Sequence, residues 1–265
     1  DGITSTRCKG GASKNMAYRD LDQETFMRNN AASQQRAAES QFDYWKPKVA
    51  PAGQPHARNV FRLMPPHENM TDAIIETKIH WALGPDGKSA IPCRAYFSTP
   101  ADPKTCAACA HVNNLYAAAR NAQDPVEKAE LEKQARSQKA KYRFYANIVD
   151  MDHPDQGVQR YAFSRMEEPL LRSCFFDDDQ KFRNVTHPQT GRDIIMMAVK
   201  QDAKTDFNEY PSVRPKETPS ALRDMGWLDA IHDLSELTQE PTEQQVLDAM
   251  AGKKRGAASA QASAQ

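Results

Sequence analysis

A histidine followed by three cysteines, His80, Cys93, Cys106 and Cys109, spaced H-x12-C-x12-C-x2-C, constrains this chain more than any other feature. The Cys106-Ala-Ala-Cys109 pair is tight enough to close a chelate on one ion. Thiolate and imidazole ligands suit tetrahedral Zn²⁺, and four of them leave no position open for water. A closed site builds structure and does little chemistry, so the cluster points to a lobe held by one structural Zn²⁺ and away from an enzyme. His111 is a rival ligand, but a Cys-x-His arrangement directly after the pair is cramped, and His80 ranks ahead of it. The bland alternative is a strand histidine beside thiols that are merely buried.

The chain has 265 residues, enough for one large domain or a core with appendages. Its hydrophobic content of 39% and mean hydropathy of −0.77 are lean for a single compact core, so part of the chain is expected to be extended or disordered. Formal net charge is zero, yet the signs are separated. Seven acidic residues and no Lys or Arg lie between Asp224 and Asp248, while Lys139, Lys141, Arg143, Arg160 and Arg165 fall in strand-like sequence. That pattern fits a polyanion-binding body with an acidic tail. No run approaches about eighteen apolar residues, so no membrane partner is expected, and no signal peptide is visible. Cys8 and Cys174 are expected as free thiols, which fits a reducing cytoplasm rather than secretion.

The punctuation of the chain yields a mixed, mainly β reading. Strands are expected over 59–64, 73–83, 89–97, 142–151, 158–164 and 193–200, and helices over 106–122, 125–138 and 166–176. Asp124-Pro125 supplies an N-cap and first turn for the second helix. Residues 205–214 read as extended. Five or six short strands interrupted by helices predict an α+β, OB-fold-like, partly open β-barrel with an inserted zinc-binding helical subdomain. The expected organisation is a flexible N-terminal arm (1–41), a core (42–222) holding the zinc subdomain at about 65–138, an acidic helical segment (223–250) and a disordered tail (251–265). Residues 1–15 lack pattern and are expected to be disordered or foreign to the protein.

A second constellation interleaves cations with rings: Lys139, Lys141, Tyr142, Arg143 and Tyr145, then Arg160, Tyr161 and Phe163. Alternate strand residues share a face, which puts Lys141, Arg143 and Tyr145 on one side and Tyr142, Phe144 and Ala146 on the other. Single-stranded nucleic acid needs a positive groove for phosphates and flat rings for bases, with stacking worth roughly 1–3 kcal/mol per base. Trp81, Tyr96, Lys200, Lys204 and Tyr210 are further candidates for contact. The alternative reading is that the rings fill the barrel and the charges are its solvated face. In the acidic segment, Leu228, Ile231, Leu234 and Leu237 have helical spacing, either as a solvated amphipathic helix or as a partner-docking tail. No Gly-rich phosphate loop, G-x-S-x-G or H-E-x-x-H motif occurs, so no catalytic residue is expected.

The same residues resemble the zinc-containing single-stranded DNA-binding (helix-destabilising) proteins of T-even and related tailed phages. The match lies in the order His80, Cys93, Cys106-x2-Cys109, in the aromatic strand 141–148, in the strand 158–163 and in 233–238. The resemblance implies an OB-fold, one structural zinc, sequence-independent and cooperative coverage of single-stranded DNA in replication, recombination and repair, and self-association along the strand through an N-terminal basic arm. It also implies recruitment of replication and recombination proteins through the acidic segment 224–248. This chain departs in two places: its arm is Gln/Asn-rich with few cations, and its end reads Lys253-Lys-Arg255 followed by a neutral tail. A single-stranded RNA-binding regulator and a zinc-stabilised protein-interaction hub are the alternative functions.

Overall fold

The computed structural model describes residues 44–202 and 207–253. The N-terminal arm, Cys8, Lys204 and the tail beyond residue 253 lie outside the described residues. The described body is mixed α/β, with eight strands and four α-helices. The strands are β1 (Tyr44–Trp45), β2 (Ala57–Leu63), β3 (Ile74–Leu83), β4 (Ser89–Pro92), β5 (Lys141–Asp150), β6 (Val158–Phe163), β7 (Ile194–Lys200) and β8 (Asn208–Pro215). The helices are α1 (Ala107–Asn121), α2 (Pro125–Gln138), α3 (Glu168–Ser173) and α4 (Glu243–Met250). The strands form one sheet in the order β1-β6-β5-β2-β7-β8, with β3 joining β5 and carrying β4. The expected small barrel of five or six strands is thus an open sheet of eight. Among the described residues its end strands do not pair with each other, and the bridge Ala50 to Val199 ties the segment after β1 to β7.

Strand β5 organises the sheet because it is ten residues long and pairs on both edges. One edge takes β6, from Phe144 opposite Phe163 to Val149 opposite Val158. The other takes β3 along its first half and β2 along its second. Its even positions, Phe144, Ala146 and Ile148, enter the main core with Trp45, Phe61, Ile74, Tyr161, Phe163 and Met196. Its odd positions are covered too. Tyr145 packs with Ile79 and Leu234, and Val149 packs with Met64, Leu222 and Trp227. At roughly 25 cal/mol per Å² of apolar area buried, covering both faces is strongly favourable. It also removes the solvent-facing side that strict alternation predicts for this strand.

The cover over the odd face is the C-terminal segment. Instead of the single amphipathic helix expected from the leucine spacing, residues 225–228 and 235–238 form two short 3₁₀ turns. The Asp224 carboxylate caps the first by accepting from the Gly226 amide, and Asp233 accepts from the amide and hydroxyl of Ser235. Such local bonds compete with a continuous helix. The segment is stitched to β5 by Asn147, whose side chain donates to the His232 carbonyl at 2.9 Å and accepts from its amide at 3.3 Å. Beyond it, α4 starts with a Thr242/Gln245 capping box and packs Val246 and Ala249 against Leu83, Ile91, Cys93, Cys106 and Ala108. Gly84, at φ +79, is required here: a Cβ would lie 2.8 Å from the Gly252 backbone at the end of α4. Among the described residues, no helix is long and apolar enough to cross a membrane.

Candidate metal centre and adjoining groove

Three elements of the fold deliver the four ligand atoms. His80 sits near the end of β3, just before an irregularity in its pairing with β4 where Ala82 adopts φ 51. Cys93 follows β4, held by its amide donating to the Lys78 carbonyl at 2.7 Å. Cys106 is the N-cap of α1, and Cys109 lies in that helix's first turn. The imidazole and three sulfurs all lie within 4.8 Å of one another. His80 Nε2 is 3.4 Å from Cys109 Sγ and 3.6 Å from Cys106 Sγ, and Cys93 Sγ is 3.5 Å from Cys109 Sγ. Metal–ligand bonds of 2.0–2.3 Å in a tetrahedron require edges of about 3.5–3.8 Å, so these separations fit one ion at the centre. A disulfide would need about 2.05 Å, so the sulfurs are not bonded to one another. His111 takes no place in the cluster.

The outer face of the histidine is fixed as well. Its Nδ1 lies 2.8 Å from the Gln138 carbonyl at the end of α2, so Nδ1–H donates outward and leaves the Nε2 lone pair for an ion. Gln138 also donates from its side chain to the Ala82 carbonyl at 3.2 Å, bracing the irregular stretch of β3. His80, Cys106 and Cys109 are each strongly perturbed by their neighbours. Burial alone would lower His80, but bonding to Cys106 and Cys93 pushes it up to about 10. Hydrogen bonds from Cys109 and Cys93 hold Cys106 down as thiolate, while its bond to Cys106 and then to Cys93 drives Cys109 up. Three sulfurs this close cannot all carry charge without a compensating cation, and a single divalent ion supplies it.

The sheet face that carries His80 continues into a groove. Along β3, Ile74, Lys78 and His80 share one face. Ile74 lies in the core, Lys78 pairs across to Tyr142 on β5, and His80 reaches the metal centre. One hollow of about 400 Å³ is lined by Lys78, Lys139, Tyr96, Tyr116 and the ligands His80, Cys93 and Cys109. A second, of about 760 Å³, is lined by Lys78, Lys139, Lys141, Tyr142, Arg165, Met166, Phe207 and Tyr210. The two share Lys78, Lys139 and Ala140 and so adjoin. Glu167 is the acidic residue among the linings, and it is turned inward, accepting from the Tyr161 hydroxyl and from the amide and hydroxyl of Ser164. At the rim, Glu76 accepts from the Tyr96 hydroxyl at 2.9 Å; burial and that carboxylate push the phenol up to about 12.

The groove gathers five of the expected contact residues: Lys139, Lys141, Tyr142, Tyr96 and Tyr210. Three others are corrected. Tyr145 (4% exposed), Tyr161 (1%) and Phe163 (1%) are packed inside, and Tyr161 is tied to Glu167. They cannot offer a ring face to a base, because the C-terminal segment covers Tyr145 and the β6 side chains Tyr161 and Phe163 point into the main core. Arg143 donates to the Ala162 carbonyl at 2.8 Å and lines neither hollow. Arg160, Trp81 and Lys200 also lie outside both linings; Trp81 neighbours His80 in sequence and so points to the opposite face. The sequence reading missed Lys78, Tyr116, Met166 and Phe207 and gave Arg165 no contact role. Lys78 had a usable signal, sharing alternation phase with the proposed ligand His80. Phe207 and Met166 are 66% and 68% exposed, which no local pattern foretells.

Neither a protein-family model nor a curated protein matches the chain.

Proposed function

We propose that this protein binds single-stranded DNA without sequence preference and without catalysis, using the joined groove, and that the His80, Cys93, Cys106, Cys109 centre holds one structural Zn²⁺. One observation carries the reading: two adjoining hollows that share Lys78 and Lys139 are lined by Tyr96 on one side and by Lys141, Arg165, Tyr210 and the exposed Phe207 on the other. Cations track a phosphate backbone and rings accept bases of any identity. Three thiolates and an imidazole at tetrahedral spacing favour Zn²⁺ over harder cations. The resemblance to phage helix-destabilising proteins agrees with both parts and extends the role to strand coverage in replication, recombination and repair. A strongly curved, OB-like sheet is part of the same reading, because β1, β2, β3, β5, β6 and β7 all turn side chains into one core.

The test is a fluorescence titration with oligo(dT) at several salt concentrations, with a matched RNA oligomer as competitor. Each phosphate neutralised on a single strand contributes about 0.7 to the slope of log affinity against log salt, so four groove cations predict a slope near about −3. Lys78→Ala and Lys139→Ala should each weaken binding and flatten that slope. A salt-independent affinity, or none at low salt, rejects the reading, and preference for the RNA competitor reassigns the strand.

A further inference from the structure

We infer that Tyr142 is a positioning residue that holds two cations ready for phosphates, rather than a ring on which a base stacks. The inference rests on the groove reading above. Tyr142 lines the larger hollow and looks at first like its best stacking platform. Its surroundings are already taken. The Lys78 ammonium lies over the ring, 4.3 Å from the centroid, and the Arg165 guanidinium carbon lies 5.1 Å from it. Phe144 stacks alongside at 6.4 Å and 17°, and Tyr96 meets it edge-on at 6.4 Å.

The arrangement follows from register. Lys78 on β3 and Tyr142 on β5 are direct antiparallel partners, so their side chains leave the same face as cross-strand neighbours. Arg165 comes from just beyond β6, which flanks β5 on its other edge. One ring therefore fixes cations arriving from both neighbouring strands. Lys and Arg side chains lose considerable rotamer freedom when they seize a phosphate, and a π face that attracts both beforehand lowers that cost. Lys78 lines both hollows, so it is placed where a strand passing from one to the other must cross. Base stacking falls instead to Phe207, which protrudes into solvent, with Tyr210 beside it.

The experiment compares wild type, Tyr142→Phe and Tyr142→Leu on oligo(dT) and on an abasic deoxyribose-phosphate strand of equal length. Tyr142→Phe keeps the π face, and its affinities and salt slopes should match wild type on both strands. Tyr142→Leu should weaken both strands by the same factor and flatten the slope by about 0.7 for each cation set loose. A loss confined to oligo(dT) would show base stacking and overturn the inference. An unchanged Tyr142→Leu, or a Tyr142→Phe as weak as Tyr142→Leu, overturns it as well. NMR of the free proteins supplies an arm independent of DNA. The Lys78 ε-methylene protons should be shifted upfield by the ring in wild type and Tyr142→Phe, and lose most of that shift in Tyr142→Leu, where only the more distant Tyr96 ring, 5.9 Å from the ammonium, remains. Should wild type bind neither strand, the groove reading falls, and the ring-current shift still decides whether Tyr142 holds the cation. Its absence in wild type overturns the inference.

Discussion

Removing the ion should loosen the lobe, and Cys106→Ser is the substitution that isolates this effect. Cys106 is both a proposed ligand and the N-cap of α1, with an extended backbone at φ −138 and no side-chain cap bond of its own. Serine is among the best N-cap residues, worth about 1 kcal/mol over a non-capping side chain. The substitution therefore removes one ligand while leaving the helix start intact or improved. An ion bound only by the folded state contributes about 2.7 kcal/mol at a free concentration 100-fold above its Kd, and about 4.1 kcal/mol at 1,000-fold. For a body of this size each kcal/mol moves Tm by about 2–4 °C, so chelation should lower Tm by about 5–16 °C. The assay is thermal melting followed by far-UV circular dichroism, with metal content measured on the same samples. Wild type should contain one Zn²⁺ per chain, and Cys106→Ser should contain much less. Cys106→Ser should melt near the chelated wild type, with or without added Zn²⁺. If chelation strips the ion yet melting does not move, the centre does not hold the lobe together.

Leu234→Ala should cost about 2–5 kcal/mol in denaturant titrations, because the side chain is wholly buried between Ile79 and Tyr145; a loss below about 1 kcal/mol would show that the C-terminal segment only rests on the sheet. Arg62→Ala should cost about 1–3 kcal/mol, since the guanidinium Nε bonds Asp193 at 3.0 Å in the interior while Lys216, at 2.8 Å, still compensates that carboxylate. Stability should also fall on acidification through His232. Burial first, and then the Arg160 charge, hold its pKa below 6.5 while its ring bonds the Val158 carbonyl at 3.1 Å. Its folded pKa is depressed, so its contribution is complete above about pH 6.5 and is lost as pH falls through the lower folded value. Melting curves between pH 7.5 and 5 should show a decline that His232→Gln reduces; an equal decline in both proteins assigns it to other groups.

Local patterns carried most elements and the candidate ligand cluster, although the strand expected over 89–97 divides into β4 and a 3₁₀ turn over Arg94–Phe97. The ligand set is written in spacing alone, and Asp124-Pro125 starts α2 where the cap and the proline say it should, with the Asp124 carboxylate accepting from the Val126 amide at 3.0 Å. What alternation could not supply was that both sides of β5 are covered. That depends on β3 pairing across the whole inserted lobe and on a C-terminal segment almost ninety residues downstream, both long-range facts. Tyr145 was misread for that reason, and Tyr161 and Phe163 because β6 faces the core. The i, i+3 leucines after Trp227 have helical spacing, but Asp224 and Asp233 divert the backbone into turns. One legible signal was overlooked: Thr242-Glu-Gln-Gln245 is a capping box, and it begins α4.

The C-terminal segment also bears on how the chain matures on the ribosome. Leu234 and Val246 complete clusters whose other members are synthesised much earlier, in β3, β4, β5 and α1. A nascent chain that has emerged only as far as β8 still exposes Tyr145, Val149 and the flank of the metal lobe. Folding must therefore close with residues made after β8, and a product terminated before them would present sticky apolar surface to the quality-control machinery of the cell.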